Sequence, residues 1–370
     1  MDKILQYAIE NNASDIHITE NKEAWIRSKG KLSKYGEKIS ISEIDRFIST
    51  FVQSAFVIYN AYKNVEIKNK DDVIPLPIDA AFSFMTRRFR LNIYKSYNGI
   101  NMALRLLSDK ILSLPDLHLP DAVEQFTRIQ SGMYLVVGTT GSGKSTTLAS
   151  IIDAINHSRA ENILTIEQPI EYIHHSDKSR IEQIEVGKDV PTFEAATVAA
   201  MRQDPNIALV GEMRDLATIH NAITLAETGH VVYATLHAKS VTETIDRMID
   251  VFPPNQQEQI RIQVASVLKG VVHQTLVKGT DGKLVPLIEQ LVVDDVISAM
   301  ILGKQKSNTI RDHLRGKSML GNVHIADNAA WHIQNGRLTA ENVKRYMSPD
   351  DYNIVKSLTE ITRQRRGFDA

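Results

Sequence analysis

The chain has 370 residues, with 43 Lys and Arg against 44 Asp and Glu, a net charge of −1 and no cysteine. That length holds two domains, the near-neutral balance argues against a general nucleic-acid-binding surface, and the lack of thiols excludes disulfides and thiolate metal sites and fits a reducing compartment. No apolar run approaches the length of a membrane span, and the start MDKILQYAIENN lacks the basic-then-apolar layout of a signal peptide, so a cytoplasmic chain is expected.

From the amino end, Ile4, Leu5, Ala8 and Ile9 share one helical face, with Asp2 as the expected cap. The runs DIHIT (15–19) and AWIRS (24–28) alternate as strands, and Gly30 marks a turn. From Ser42, the set Ile44, Phe47, Ile48, Phe51 and Val52 recurs at helical spacing; a loop rich in charge and Asn is expected next, broken by Pro75 and Pro77. Strand-like runs at 79–86, 88–96 and 100–107 complete an α+β domain over 1–112, and SLPDLHLP (113–120) reads as a hinge.

Over 121–370 the pattern changes. Strands expected at 133–137, 162–167, 207–211 and 230–236 alternate with helices at 145–156, after Thr192, at 216–228 and at 242–251, the grammar of a parallel α/β sheet. After Pro253 and Pro254, residues 255–277 read as one long capped helix; a strand at 284–293 and several helices follow, with a stop at Gly336 and a start at Thr339. Arg363, Arg365 and Arg366 near the carboxyl end read as a solvated cluster.

The stretch MYLVVGTTGSGKSTT (133–147) places the phosphate-loop motif after a buried strand and before a helix, with Gly138, Gly143, Lys144 and Ser145 as its defining residues. Glycines permit the tight turn through Thr139, Thr140, Gly141 and Ser142, so that backbone N–H groups face a polyphosphate; Lys144 adds a point charge, the Ser145 hydroxyl suits Mg²⁺, and Thr146 continues the helix whose positive end faces the phosphates. ATP and Mg²⁺ are the expected ligands. Glu212 follows the apolar strand 207–210 and is the candidate acid that manages the metal with Ser145. Glu167 ends another strand, where a carboxylate orients or deprotonates an attacking water; a charged strand exit is the plainer alternative. His230 and His237 bracket a third strand: either alone suits a structural role, whereas its place beside the other strand-end groups favours His237 as functional. Arg88, Arg90 and Arg105 lie in neighbouring strands of the first domain. Their spacing alone favours a solvated face over fingers aimed at a neighbouring subunit's phosphates.

In this order, ASDIHI (13–18), RFRLN (88–92), GTTGSGKSTTLA (138–149), ILTIEQPIEY (163–172), MRQDPNIALVGEMRDLATI (201–219), AETGHVVYATLH (226–237) and TIDRMIDVFP (244–253) resemble the secretion ATPase superfamily, most closely the type IV pilus retraction ATPases. The resemblance implies a PAS-like amino-terminal domain, a RecA-like P-loop ATPase domain, and a homo-hexamer that hydrolyses ATP peripherally at the inner membrane. Its implied partners are a pilus platform protein and a cognate assembly ATPase. By position it makes Lys144 and Ser145 the phosphate and Mg²⁺ ligands, Glu167 the water-activating carboxylate, Glu212 the Walker B acid and His230 with His237 the histidine box. It also reverses the preference for the arginines, making Arg88, Arg90 and Arg105 phosphate-reaching groups. Gln168 and Asn206 stand where the family carries Asp, which would remove negative charge near the site, Ala238 stands where it carries Thr, and VISAMILGK (296–304) lacks the arginine of the retraction stretch. Related rings of type IVB secretion and conjugation are the nearest rival; a nucleotide-gated scaffold with little turnover is the rival of another class.

Overall fold

The computed structural model describes residues 1–64, 77–108, 110–305, 307–315 and 321–368. The chain divides into two compact units: Met1–Lys110 with Glu167–Ile173 and Ile184–Thr192, and Ile111–Ile166 with His174–Gln183 and Phe193–Ala370. The later half thus lends two segments to the first unit, a feature that no spacing along the chain announces.

The first unit holds helix α1 (Asp2–Glu10), strands β1 (Ala13–Thr19), β2 (Glu23–Ser28) and β3 (Lys31–Lys38), helices α2 (Ile41–Phe51) and α3 (Gln53–Asn64), and strands β4 (Ile78–Phe84), β5 (Arg87–Ser96) and β6 (Gly99–Leu106). The strands form one antiparallel sheet in the order β3-β2-β1-β6-β5-β4. Alternation along the strands sends Ile16, Ile18, Phe89, Leu91 and Leu104 to one face, where they share a core with Leu5 of α1 and Ile44 and Phe47 of α2. A capping box starts α2: the Ser40 hydroxyl accepts the Glu43 N–H while the Glu43 carboxylate accepts the Ser40 N–H.

Two expectations are corrected here, and one strand appears that no spacing announced. Met1, not Asp2, occupies the cap position of α1, and it makes no side-chain cap bond; Asp2 lies in the first turn. The loop expected after α2 contains α3, whose Tyr59 is fully buried and donates to Asp45 at 2.6 Å. Its exposed Val57 and Ile58 spoil the one-sided apolar stripe by which a helix is recognised. Strand β3 is an edge strand exposed along most of its length, so it carries no alternation to read. The rest of the expected loop, 65–76, lies outside the described residues.

The second unit opens with a 3₁₀ turn at Asp121–Arg128, then β7 (Gly132–Val137), α4 (Lys144–Ser158), β8 (Asn162–Glu167), β9 (Arg180–Glu185), α5 (Phe193–Ala200), β10 (Ile207–Val210), α6 (Leu216–Glu227), β11 (Val231–Leu236) and α7 (Val241–Asp250). After these come α8 (Gln257–Val267), β12 (Leu268–Lys278), β13 (Leu284–Val292), α9 (Asp295–Leu302), α10 (Ser307–Leu314), α11 (Ile325–Gln334), α12 (Ala340–Lys344) and α13 (Pro349–Phe368). The sheet runs β13-β12-β7-β11-β10-β8-β9, with β12, β7, β11, β10 and β8 parallel and β13 antiparallel to β12. Strands β7, β10 and β11 are buried at every residue, as sheets covered on both faces require. Thr339 caps α12 through the Asn342 N–H, and Gly336 takes φ +70 just beyond α11, as expected of a stop and a start. The 113–120 stretch belongs to this unit, with Leu114 and Leu119 buried in its core. The side chains of Arg363, Arg365 and Arg366 lie outside the described residues. Among those described, no helix is long and apolar enough to cross a membrane.

The largest correction concerns 255–277. Only Gln257–Val267 is helical; from Leu268 the chain becomes β12, between β7 and β13. Short apolar runs do not distinguish buried helix from buried strand, and here an open edge of β7 supplies ladder partners from Leu268 to His273. Gly270 allows the close approach: a Cβ there would run into the Phe126 ring and lie 3.1 Å from the Leu291 carbonyl oxygen. That ring is itself stacked on Tyr134, 3.8 Å between centroids. Gly270→Ala should therefore lower the unfolding free energy by about 1–3 kcal/mol, the usual cost of overpacking. Denaturant unfolding of the two proteins checks this, and equal midpoints would show that the ring yields freely.

Candidate nucleotide site

Parallel pairing aligns three strand ends. Val137 of β7 lies opposite Leu236 of β11, and Ala234 opposite Val210 of β10, so Gly138, Gly211 and His237 emerge on one edge. The loop from Gly138 turns through left-handed glycines, φ +77 at Gly141 and +87 at Gly143, into α4, whose cap residue Gly143 offers no side-chain acceptor. The first-turn N–H groups of α4 are thereby left for an anion. Thr139, Thr140, Gly141 and Ser145 are exposed on this rim, and the buried Ser142 hydroxyl has no hydrogen-bond partner among the described residues. Lys144 folds back over the loop, its Nζ donating to the carbonyl oxygens of Gly138 at 3.0 Å and Thr139 at 3.1 Å. Those two neutral oxygens occupy the ammonium where phosphate oxygens would. The loop therefore fits a polyphosphate on its own geometry.

Glu212, two residues past β10, is four-fifths buried. Its carboxylate meets Nε2 of His237 at 3.0 Å and Nη2 of Arg214 at 2.5 Å. Burial alone pushes this carboxyl up; the hydrogen bond and charge of Arg214, with the charges of His237 and Lys144, outweigh it, and the group titrates below its ordinary value of 4.5. The strand exits are tied together as well, Thr235 Oγ1 donating to the Gly211 carbonyl and the Met213 N–H to the Thr235 carbonyl at 3.0 Å. Arg214 escaped the sequence reading. Its signal was the charged residue two positions past Glu212, a spacing too common to stand out.

His230 is not brought to this edge. It precedes β11, its backbone carbonyl accepts the Gly132 N–H at the start of β7, and its ring contacts the Leu225 carbonyl at 2.9 Å and the Thr228 hydroxyl at 3.0 Å. The six residues of β11 separate it from His237, roughly 20 Å at the rise of a strand. Asn206 likewise sits at the opening of β10, where Oδ1 accepts the Asn162 N–H at 2.7 Å, so its lack of a charge does not alter the phosphate edge as expected. Nucleotide lies at carboxyl ends of such strands, and these two residues hold amino ends.

The remaining candidates lie in the first unit. Glu167 accepts the Val186 N–H on its carbonyl at 2.8 Å. Arg88 is well buried and held by its own chain, donating to the Ile170 carbonyl and the Glu185 carboxylate at 2.6 Å each. Arg90 lies 3.7 Å from Glu171, and Arg105 donates to Asp15 at 2.9 Å with its side chain 65% exposed. Register places Arg90 beside Arg105, Arg105 beside Asp15, and Asp15 beside Arg27, a row across four strands on the face opposite the core.

A glycine loop on a parallel sheet, with a lysine and a charge-clasped acid at the same edge, defines a P-loop ATPase. A family model described as "Type II/IV secretion system protein" matches residues 1–365, and the chain belongs to that family. Within it, the chain is one of the pilus-retraction-type ATPases: it is 34% identical over 320 residues to the type IV pilus retraction ATPase PilT of Pseudomonas aeruginosa, covering 83% of this chain and 89% of that protein. A crystal structure of the pilus retraction motor PilT with bound ADP superposes with a TM-score of 0.81 at 32% identity, over 95% of this chain and 98% of that one. The ATPase DotB of Legionella pneumophila follows at 0.77 and 26%, over 96% and 95%.

The lowered titration of Glu212 fixes a sign. A carboxyl whose native value lies below its unfolded value adds stability that is full above 4.5 and is lost as pH falls through the native value. Glu212→Gln should be less stable than the parent at pH 7, and the gap should close on acidification below 4.5. Chemical denaturation at pH 7, 5 and 4 measures it; a gap constant with pH would show that the clasp carries no charge-dependent stability.

Proposed function

We propose that the chain is the ATP-hydrolysing motor of a type IV pilus, working as a homo-hexamer that drives pilus retraction against an inner-membrane platform protein, with a cognate assembly ATPase as its counterpart. The observation that carries this reading is the meeting of Lys144 and the Glu212–His237–Arg214 cluster at one strand edge. In this reading the loop N–H groups and Lys144 hold the β- and γ-phosphates, and Ser145 with Glu212 holds Mg²⁺. The metal, when bound, neutralises charge on the phosphate oxygens. His237 fixes the Glu212 carboxylate and takes part in reading the γ-phosphate, and Arg214 keeps Glu212 ionised. A cavity of about 530 Å³ beside Gly143, Thr146 and Leu276 has the size for base and ribose.

Glu167 is assigned to orienting the attacking water. Arg105 and Arg90 are assigned to the phosphates of a neighbouring copy, because both arginine side chains are exposed and Arg90 stands 3.7 Å from its carboxylate, while Arg88 is committed to Glu185 and Ile170. The match to the "Type II/IV secretion system protein" family supports a second reading in which the same core energises type IVB secretion or conjugative transfer.

Lys144→Ala and Glu212→Ala should each cut phosphate release by about 100-fold or more, the scale of losing a main charge-stabilising group. Unchanged turnover in a steady-state assay would reject the site, and a parent with almost no phosphate release would favour a nucleotide-gated scaffold. Deleting the gene separates the two machines: surplus, non-retracting surface pili by electron microscopy are expected, whereas normal pili with lost transfer or secretion would favour the second reading.

A further inference from the structure

Strand β7 ends at Val137 opposite His273 of β12, so the next residue of β12, Gln274, stands level with the first residue of the phosphate loop. Gln274 is polar and almost fully buried. Its Nε2 donates to the Ser142 carbonyl at 2.8 Å, and its Oε1 accepts from the Thr147 hydroxyl at 2.7 Å. One amide therefore holds the far bend of the loop and the first turn of α4 together.

The two glycines that define the motif are also the two that Gln274 packs against. A Cβ at Gly138 would run into the Gln274 carbonyl oxygen, and a Cβ at Gly143 would lie 2.7 Å from the Gln274 amide nitrogen. Both glycines adopt positive φ, +150 and +87. The loop is thus shaped against β12 from outside as well as by its own turn, and Leu276, two residues along the same strand, reaches within 3.6 Å of the Gly143 Cβ position.

From this we infer that Gln274 is a positioning residue for nucleotide binding: it holds the loop in its cradle form before phosphate arrives, so that ordering the loop is not charged against affinity. Gln274 itself makes no phosphate contact in this account. Removing its amide leaves the Ser142 carbonyl and the Thr147 hydroxyl without partners in a buried place, and the loop gains freedom that binding must then remove. Thr147→Val removes one of the two bonds and leaves the other.

The test uses the full chain and a fluorescent N-methylanthraniloyl ATP as probe. Gln274→Leu should weaken probe binding about tenfold or more and raise KM for ATP by a similar factor, with kcat per folded site within about threefold of the parent. Thr147→Val should show the same pattern at smaller size. The double variant should bind no more weakly than Gln274→Leu, because both act through one amide. A purely structural role gives a different result: fewer active molecules, hence lower kcat at unchanged KM. That outcome, parental affinity in folded Gln274→Leu, or losses that multiply in the double variant would overturn the inference. If Gln274→Leu does not fold, Thr147→Val decides alone, and unchanged KM there overturns it.

Discussion

Parallel pairing brings the carboxyl ends of β7, β11 and β10 to one edge, and the chemistry of this chain follows from that edge. Each strand exit turns a backbone or a charged side chain toward the same space. The glycine loop supplies N–H groups, Lys144 supplies a cation, and Glu212 supplies a carboxylate, the group that the proposed function gives to the metal. A carboxylate that is mostly withdrawn from water would normally take up a proton more readily. Here Arg214, His237 and Lys144 surround it and keep it ionised, so the anion is present before any metal binds. The site is organised in advance, which spares binding and catalysis the cost of assembling it.

Much of this was legible in the sequence because the signals were local. The phosphate loop is a contiguous motif with a strand before and a helix after, and the apolar run 207–210 delivering Glu212 has the same logic. Periodicity failed where an element depends on a distant neighbour. The segment after Val267 is a strand only because β7 offers an unpaired edge, and Gly270 because Phe126 fills the space a side chain would need. Gln274 was invisible for the same reason: nothing in its local sequence says that it lies beside a loop more than a hundred residues earlier. His230 and Asn206 illustrate the reverse error. The family resemblance, not their local sequence, put both near the site, yet a strand has two ends and both residues occupy the amino ends.

The first unit adds a second kind of constraint. Its sheet carries apolar residues on one face and a row of Arg27, Asp15, Arg105 and Arg90 on the other. Within that unit Arg88 fastens the turn that begins at Glu167, through Ile170 and Glu185. The segment carrying Glu167 is therefore tied to the amino-terminal sheet by side-chain bonds while remaining continuous with β8.

The central claim is that one triphosphate is gripped at this strand edge. The most direct measurement is a crystal structure with a non-hydrolysable ATP analogue and Mn²⁺ in place of Mg²⁺, locating the metal by its anomalous scattering. The account predicts the metal against the Ser145 hydroxyl on the side facing Glu212, with the Lys144 ammonium moved from the Gly138 and Thr139 carbonyls to phosphate oxygens. A nucleotide bound elsewhere, or Lys144 still resting on those two carbonyls beneath a bound triphosphate, would contradict it.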